Sequence, residues 1–383
     1  MPSERTLAPV GTPLSVGGAW PFLRPVLYFH LGTRLLTTAA LLVGAHRKGR
    51  SFPAVVTAWD GKWYEQIVSP GYPAVLPIHN GHVITNPAGF FPLFPLLLRP
   101  FTAVGIPYWL AAQFCVLAFS TGASLLIALV CRRYVASRPA MLTACAWSAF
   151  PTASVLSVAY SEALFTLLAA ATLLFLFRRQ WVLAGVLAAL AGGVRPTGVV
   201  VVAAVGVTVL QAIVLLREWR SLWAAVIAPV GTLAALTFIG LSSHRLDAWS
   251  VTENQGWRVR FDGGVTFVRW AFSTMTAAHN PLKMAFVVAV LIALVLVVLA
   301  VIGRPPLPVL TYLVLGAFLA LGQGGEFFTS PLRFLLPIFP LLVPFGGWLS
   351  SRPRMMTQVV LVVLAVLSAV IGVYYFTISS GAP

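Results

Sequence analysis

The chain has 383 residues, of which 59% are hydrophobic and 9% charged, and its mean hydropathy is +0.92. That balance excludes an ordinary soluble domain and leaves a membrane protein. The net charge of +16 sits mostly in short basic runs beside apolar segments, where orientation in a bilayer accounts for it; with no stacking module or recognition helix, nucleic acid is excluded as a partner.

Residues 1–25 are rich in Pro, Ser, Thr and Gly and are expected to form a flexible cytosolic tail. The apolar segment that follows has no small-residue cleavage site, so it reads as a retained anchor. Apolar spans are then expected at 26–46, 108–131, 139–156, 160–177, 181–194, 197–216, 222–241, 283–302, 306–322, 333–349 and 357–378. They approach the roughly 20 residues needed to cross a hydrocarbon core of about 30 Å. The period-2 alternation of a barrel is absent. The expected fold class is therefore an all-α polytopic integral membrane protein, a bundle of roughly eleven transmembrane helices. It forms one transmembrane domain over 26–378, with a short tail at 379–383. The pair of spans around Arg195-Pro196 has the form of one broken helix, and such breaks line cavities.

With the N-terminus in the cytosol, the short turns carrying Arg132, Arg133, Arg138, Arg178, Arg179, Arg217, Arg220, Arg304, Arg352 and Arg354 fall inside, as the positive-inside rule prefers. The long connections 47–107 and 242–282 and the turn 323–332 then lie outside. Seven of the nine acids, Asp60, Glu65, Glu162, Asp247, Glu253, Asp262 and Glu326, fall on that outer side; only Glu4 and Glu218 fall inside. Carboxylates gathered on one face point to an extracytoplasmic site. Within 47–107, the run from Phe90 to Pro100 is apolar, short and Pro-interrupted, which suits an interfacial or re-entrant helix. A loosely similar run spans Arg333 to Pro340, but no regular period emerges.

Asp60 lies in Trp59-Asp60-Gly61-Lys62-Trp63-Tyr64. Flanking Trp59, Trp63 and Tyr64 are rings typical of a membrane interface. Beside them a carboxylate is partly desolvated, and its raised basicity suits a general base. The other reading of Asp60 is a helix cap. Glu162, in Tyr160-Ser161-Glu162, sits at the mouth of an apolar span, where an ionisable group is functional by default; the competing reading is again capping. Arg195, in Gly192-Gly193-Val194-Arg195-Pro196-Thr197-Gly198, combines a guanidinium with glycines and a helix break, a setting for phosphate, or else snorkels from a turn. Arg333 enters a late span as a second candidate for an anionic ligand. The stretch Glu253 to Gly264, with Gln255, Trp257 and Arg258, mixes hydrogen-bonding groups and aromatics, which suits sugar or headgroup binding or simply a solvated loop. His79 and His82 have no third ligand nearby, so no metal site is expected. Cys115, Cys131 and Cys145 have no metal or redox spacing and read as small core residues.

These residues resemble the PIG-V-like mannosyltransferases, relatives of GPI mannosyltransferase II within the GT-C superfamily. Trp59-Asp60-Gly61-Lys62-Trp63-Tyr64 with Gly71-Tyr72 resembles the family's first-loop motif. Phe90-Phe91-Pro92-Leu93-Phe94-Pro95-Leu96 resembles its Phe-Phe-Pro block, and Tyr160-Ser161-Glu162 its Tyr-Ser-Glu block. Arg195-Pro196-Thr197-Gly198 and Arg333-Phe334-Leu335-Leu336-Pro337 follow in the family's order. The resemblance implies a GT-C-type bundle whose long first extracytoplasmic loop carries Asp60 as the catalytic residue. It implies mannose, or another hexose, transferred with inversion from a polyprenyl-phosphate donor to a glycolipid, lipoglycan or protein acceptor. Glu162, Arg195, Arg333, Trp59, Tyr64, Gln255, Trp257 and Arg258 are the candidates for binding donor phosphate or sugar. No cofactor is implied, and no ligand set supports a divalent metal at Asp60. The Ala, Val, Arg and Pro bias is that of a high-GC bacterial chain, which places the protein in a bacterial plasma membrane and sets GPI aside as acceptor. A transporter or flippase for lipid-linked sugars also uses broken helices and buried charges, but no inverted repeat is visible. A non-catalytic envelope scaffold leaves the clustered acids unexplained.

Overall fold

The computed structural model describes residues 16–277, 281–325 and 330–379. Glu4, Glu326, most of the N-terminal tail and the last four residues lie outside the described residues.

Helix α1 (Val16–Arg47) begins within the stretch expected as tail, so the helix starts before the apolar span does. The first long connection then folds against the bundle as α2 (Phe52–Val56), α3 (Asp60–Val68), a two-residue-per-strand hairpin β1 (Ile78–His79) and β2 (His82–Val83), and α4 (Leu93–Ala103). The apolar run from Phe90 becomes a short helix, α4, that buries Phe94, Pro95 and Leu98. The chain continues through α5 (Tyr108–Cys131), α6 (Ser137–Ser148), α7 (Glu162–Phe177), α8 (Trp181–Val194), α9 (Val199–Leu216), α10 (Leu222–Ile227) and α11 (Val230–Ser242). A second long connection holds α12 (Ala248–Val251), a π-turn at Thr252–Gly256, β3 (Val259–Phe261) and α13 (Val265–Ala277). Last come α14 (Pro281–Ile302), α15 (Leu307–Leu321), β4 (Gln323–Gly325), α16 (Pro331–Leu335), α17 (Val343–Ser350) and α18 (Arg354–Val373). Strands β3 and β4 pair antiparallel, Val259 opposite Gly325, and so join the two late connections.

Among the described residues, six helices are long and apolar enough to cross a bilayer, and several shorter apolar helices pack among them. The protein is a multi-pass α-helical membrane protein. Three expected spans are interrupted. The segment 139–156 ends its helix at Ser148 and continues as a 3-10 turn at Ala153–Ser157. The segment 222–241 is split between α10 and α11, and 333–349 is divided among α16, a 3-10 turn at Phe339–Leu342 and α17. Pro151, Pro229, Pro337 and Pro340 stand at these breaks, where proline removes a backbone donor and clashes with the preceding turn.

Central to the bundle is α7. Thirteen of its sixteen residues are buried, on all sides, and it packs against α5, α8, α9 and α15. Its small neighbours Ala123, Ala184, Ala188 and Ala191 are buried too, and small side chains allow the close approach on which helix association in lipid depends. Because α7 starts at Glu162, the bundle's central axis delivers a carboxylate to the end where the long connections converge.

Candidate active site

The turn that presents Asp60 is built from both chain ends of the site. The Ala159 N–H donates to the Val56 carbonyl at 2.8 Å, which ties the first connection to the irregular stretch before α7. Gly61 fits closely against Ala159, where an added Cβ would lie 3.3 Å from the alanine methyl. The Tyr108 hydroxyl donates to the Gly61 carbonyl at 2.9 Å. Immediately before this turn, Trp59 takes φ of 57°, a conformation that costs a non-glycine residue about 1–3 kcal/mol. Its indole N–H donates to the Tyr375 carbonyl at 3.2 Å, which anchors the strained residue at the end of α18. Trp59 thus aims Asp60 from behind and does not line the cavity.

Neither site carboxylate is spent on its own helix. Trp59 and Ser161 occupy the cap positions of α3 and α7, and neither makes a side-chain cap bond. Asp60 Oδ2 instead pairs with Arg333 Nη2 at 2.9 Å. Glu162 Oε1 lies 2.8 Å from Arg195 Nη1 and 3.2 Å from Arg333 Nε. Both approaches to Glu162 are oblique, so the guanidiniums are held by charge and not by aligned hydrogen bonds. Ser161 Oγ accepts from Tyr64 at 2.7 Å and from Arg195 at 3.1 Å. The Arg333 guanidinium lies 5.1 Å from the ring centres of Tyr160 and Phe334. Two carboxylates and two guanidiniums thus form one neutral network, with Glu162 in the middle and Asp60 at its edge.

That network borders a cavity of about 430 Å³, lined by Asp60, Tyr64, Arg195 and Arg333 and also by Trp249, Glu253, Asn254 and Trp257 of the second long connection. Glu162 is not among the lining residues: it lies behind both arginines and acts through them. Burial pushes the Asp60 carboxyl above the ordinary carboxylate range; Arg333 opposes this rise and Glu162 adds to it. Burial, with a smaller contribution from Asp60, pushes the Glu253 carboxyl up to about 8.

The glycines flanking Arg195 are packing glycines. A Cβ on Gly198 would overlap the backbone of Gly192, and one on Gly192 would meet Thr232 of α11. Arg195 itself has extended backbone, φ −150° and ψ 148°, between α8 and the turn Pro196–Gly198. The break therefore directs the guanidinium, and the glycines close the helices around it.

Other sequence candidates divide. Gln255 turns to the first connection, where its Oε1 accepts from the Val83 N–H at 2.9 Å. Trp257 lines the cavity and meets Phe90 and Trp63 edge-on at 5.5 and 5.2 Å between ring centres. Arg258 is exposed, has φ of 50°, and does not line the cavity. Of the remaining acids, Asp262 accepts from the Gly264 and Thr266 N–H groups at the start of α13, and Asp247 pairs with Arg245 at the surface. His79 and His82 face each other across the hairpin, and no cluster of three metal-ligating side chains occurs among the described residues. Cys115, Cys131 and Cys145 are buried and free. Sequence reasoning passed over Ser161 as a bridge, for which adjacency to Glu162 was a signal; Glu253, which it placed in a stretch suited to sugar or headgroup binding, lines the cavity.

No protein-family model matches the chain, and no curated protein matches it by sequence. Among solved structures, the crystal structure of ArnT from Cupriavidus metallidurans bound to undecaprenyl phosphate overlays with a TM-score of 0.49 at 14% identity, over 91% of this chain and 63% of that one. The chain thus spans less than two thirds of that protein's length.

Proposed function

We propose that the protein is a membrane glycosyltransferase of GT-C type that transfers mannose, or another hexose, from a polyprenyl-phosphate donor to an acceptor hydroxyl on the extracytoplasmic side. The observation that carries this reading is the pairing of Asp60 with Arg333 at the wall of a cavity that Arg195 also lines. A base and two phosphate-binding cations then face one space.

In the reaction, the acceptor oxygen attacks the anomeric carbon as its proton passes to Asp60. The bond from that carbon to the phosphate oxygen breaks, and the phosphate leaves with the electron pair. Its added negative charge is stabilised by Arg195 and Arg333, already oriented by Glu162 and Ser161. One displacement inverts the anomeric centre. Arg333 also lowers the cost of keeping Asp60 ionised in a desolvated site, and an incoming phosphate competes with Asp60 for it. Donor binding on this account loosens the Asp60 pair and frees the carboxylate for the acceptor. The apolar lining supplied by Phe90, Phe261, Leu319 and Phe334 suits the lipid end of the donor. The five ordered motifs support the choice of mannose.

The test is transfer of label from radiolabelled polyprenyl-phosphate mannose in membranes containing the full chain, with the product's anomeric configuration determined. Labelled lipid or polymer of inverted configuration is expected. Movement of the intact donor between leaflets without any transfer would instead establish a flippase.

A further inference from the structure

We propose that the part of the cavity lining formed by Glu253, Asn254 and Trp257 is a subsite for a pyranose ring; this rests on the glycosyltransferase reading above. Three observations carry it.

First, the wall is built and not merely exposed. Asn86 Nδ2 donates to Thr252 Oγ1 at 3.2 Å, and the Trp257 indole N–H donates to the Asn86 carbonyl at 3.3 Å. With the Gln255 contact to Val83, these bonds fix the π-turn against the first connection. Glycine at 89 is required for that fit. A Cβ there would lie 2.7 Å from Trp257 Nε1 and 2.9 Å from Glu253 Oε1. The Glu253 carboxyl therefore sits directly over the Gly89 backbone and is held at the cavity edge.

Second, charge is unevenly distributed along the lining. Both cations of the cavity, Arg195 and Arg333, come from other segments, and the residues lining it from 249 to 257 include none. A phosphate has no reason to settle against Glu253, whereas a neutral polyhydroxyl group does. A carboxylic acid near neutral pH, as burial makes Glu253, both donates and accepts; a carboxamide such as Asn254 does the same.

Third, the lining combines these in-plane hydrogen-bonding groups with aromatic rings, Trp249, Trp257 and Phe90. A pyranose presents hydroxyls around its rim and C–H groups on its faces, and this pairing of surfaces matches both. Two sugars can supply that ring, the donor's hexose and a sugar of the acceptor.

The experiment measures binding to the full-length protein in nanodiscs. The probes are a short-chain polyprenyl phosphate, its mannosyl and glucosyl derivatives, and methyl α-mannoside. Native protein is expected to bind a glycosylated lipid more tightly than the bare lipid phosphate, or to bind the methyl glycoside saturably. Glu253→Ala should weaken the sugar-dependent part about tenfold, the size of one or two lost hydrogen bonds, while leaving affinity for bare polyprenyl phosphate unchanged. Glu253→Gln, which keeps a donor and an acceptor, should restore it. Loss confined to the glycosylated lipid assigns the subsite to the donor; loss confined to the methyl glycoside assigns it to the acceptor. Should Glu253→Ala lose the bare lipid phosphate too, the Glu253→Gln variant decides: sugar-dependent affinity within twofold of native sustains the subsite, and its loss with lipid phosphate binding retained overturns it. Native protein without any sugar-dependent affinity, or alanine variants at Glu253 and Trp257 that keep all of it, overturns the subsite. Failure of native protein to bind even the bare lipid phosphate overturns the glycosyltransferase reading itself.

Discussion

Two buried guanidiniums have contrasting partners in this bundle. Arg34, in the middle of α1, is 3% exposed and Arg333 is 5% exposed. Arg34 has no carboxylate partner among the described residues. It donates to the carbonyls of Ala153 and Ser148 at 2.5 and 2.6 Å and contacts Ser157 and Thr33. Those carbonyls belong to the break between α6 and α7, so Arg34 supplies donors that the missing helix turns cannot. Beside it, His30 bonds to Ser120 and Ser148 and stacks on Trp147. Arg333 is held by two carboxylates at the wall of a cavity. A charge inside a membrane protein is thus not functional by position alone. What separates the two arginines is the partner: backbone carbonyls in a closed cluster for one, carboxylates beside open space for the other.

The largest effect that sharpens this contrast is expected at Glu162. Glu162→Gln removes the charge that holds both site arginines, and transfer per folded molecule should fall about 10–100-fold, with stability lowered by about 3 kcal/mol. Single-turnover transfer and thermal unfolding in the same preparation check it. Unchanged transfer would mean that the arginines need no orienting carboxylate. Arg34→Met should invert the pattern. Stability should fall by about 3 kcal/mol as charge-assisted bonds to two carbonyls are lost, and transfer per folded molecule should stay within about twofold. A loss of transfer larger than that, with the fold intact, would merge the two clusters into one functional unit.

How far these regions could be read from sequence follows the same division. Asp60, Glu162, Arg195 and Arg333 were legible because each interrupts an apolar pattern, and ordered motifs gave them a common setting. Their contacts were not legible: Asp60 and Arg333 belong to opposite ends of the chain, and nothing local specifies that they meet. Arg34 was hidden within an otherwise regular span, since apolar counting tolerates one basic residue. The same counting ran spans through Pro151, Pro229 and Pro337, although each proline marked a break. Gly192 and Gly198 stood out as part of a setting in which the Arg195 guanidinium binds phosphate; the structure uses the glycines themselves for helix packing. Gln255 and Trp257 illustrate a further limit, because composition cannot say which residues of a turn face inward.

Smaller effects bear on the scaffold and on Glu253. Gly198→Ala would press a methyl into the Gly192 backbone, and a stability loss of about 1–3 kcal/mol is expected; unfolding in detergent without any shift would refute the close packing of the Arg195 break. Finally, Glu253 gives a pH signature. Its carboxyl rises from the usual 4.5 to about 8 in the folded protein, so the folded state favours the protonated form. The corresponding stability is complete below pH 4.5 and is lost as pH rises through about 8. The charged groups that line the same cavity are Asp60, Arg195 and Arg333. Stability should therefore decline between about pH 4.5 and 8 in native protein and level off above that, and Glu253→Gln should flatten that limb; an identical decline in the variant would assign it to another group.

The most direct test of the central claim replaces Asp60 with Asn and measures, on the same purified protein, donor binding and single-turnover sugar transfer. If Asp60 takes the acceptor's proton, affinity for polyprenyl-phosphate mannose should stay within a few-fold of native, while transfer should fall about 10²–10⁴-fold. Transfer at the native rate, with the donor still bound, would contradict the account.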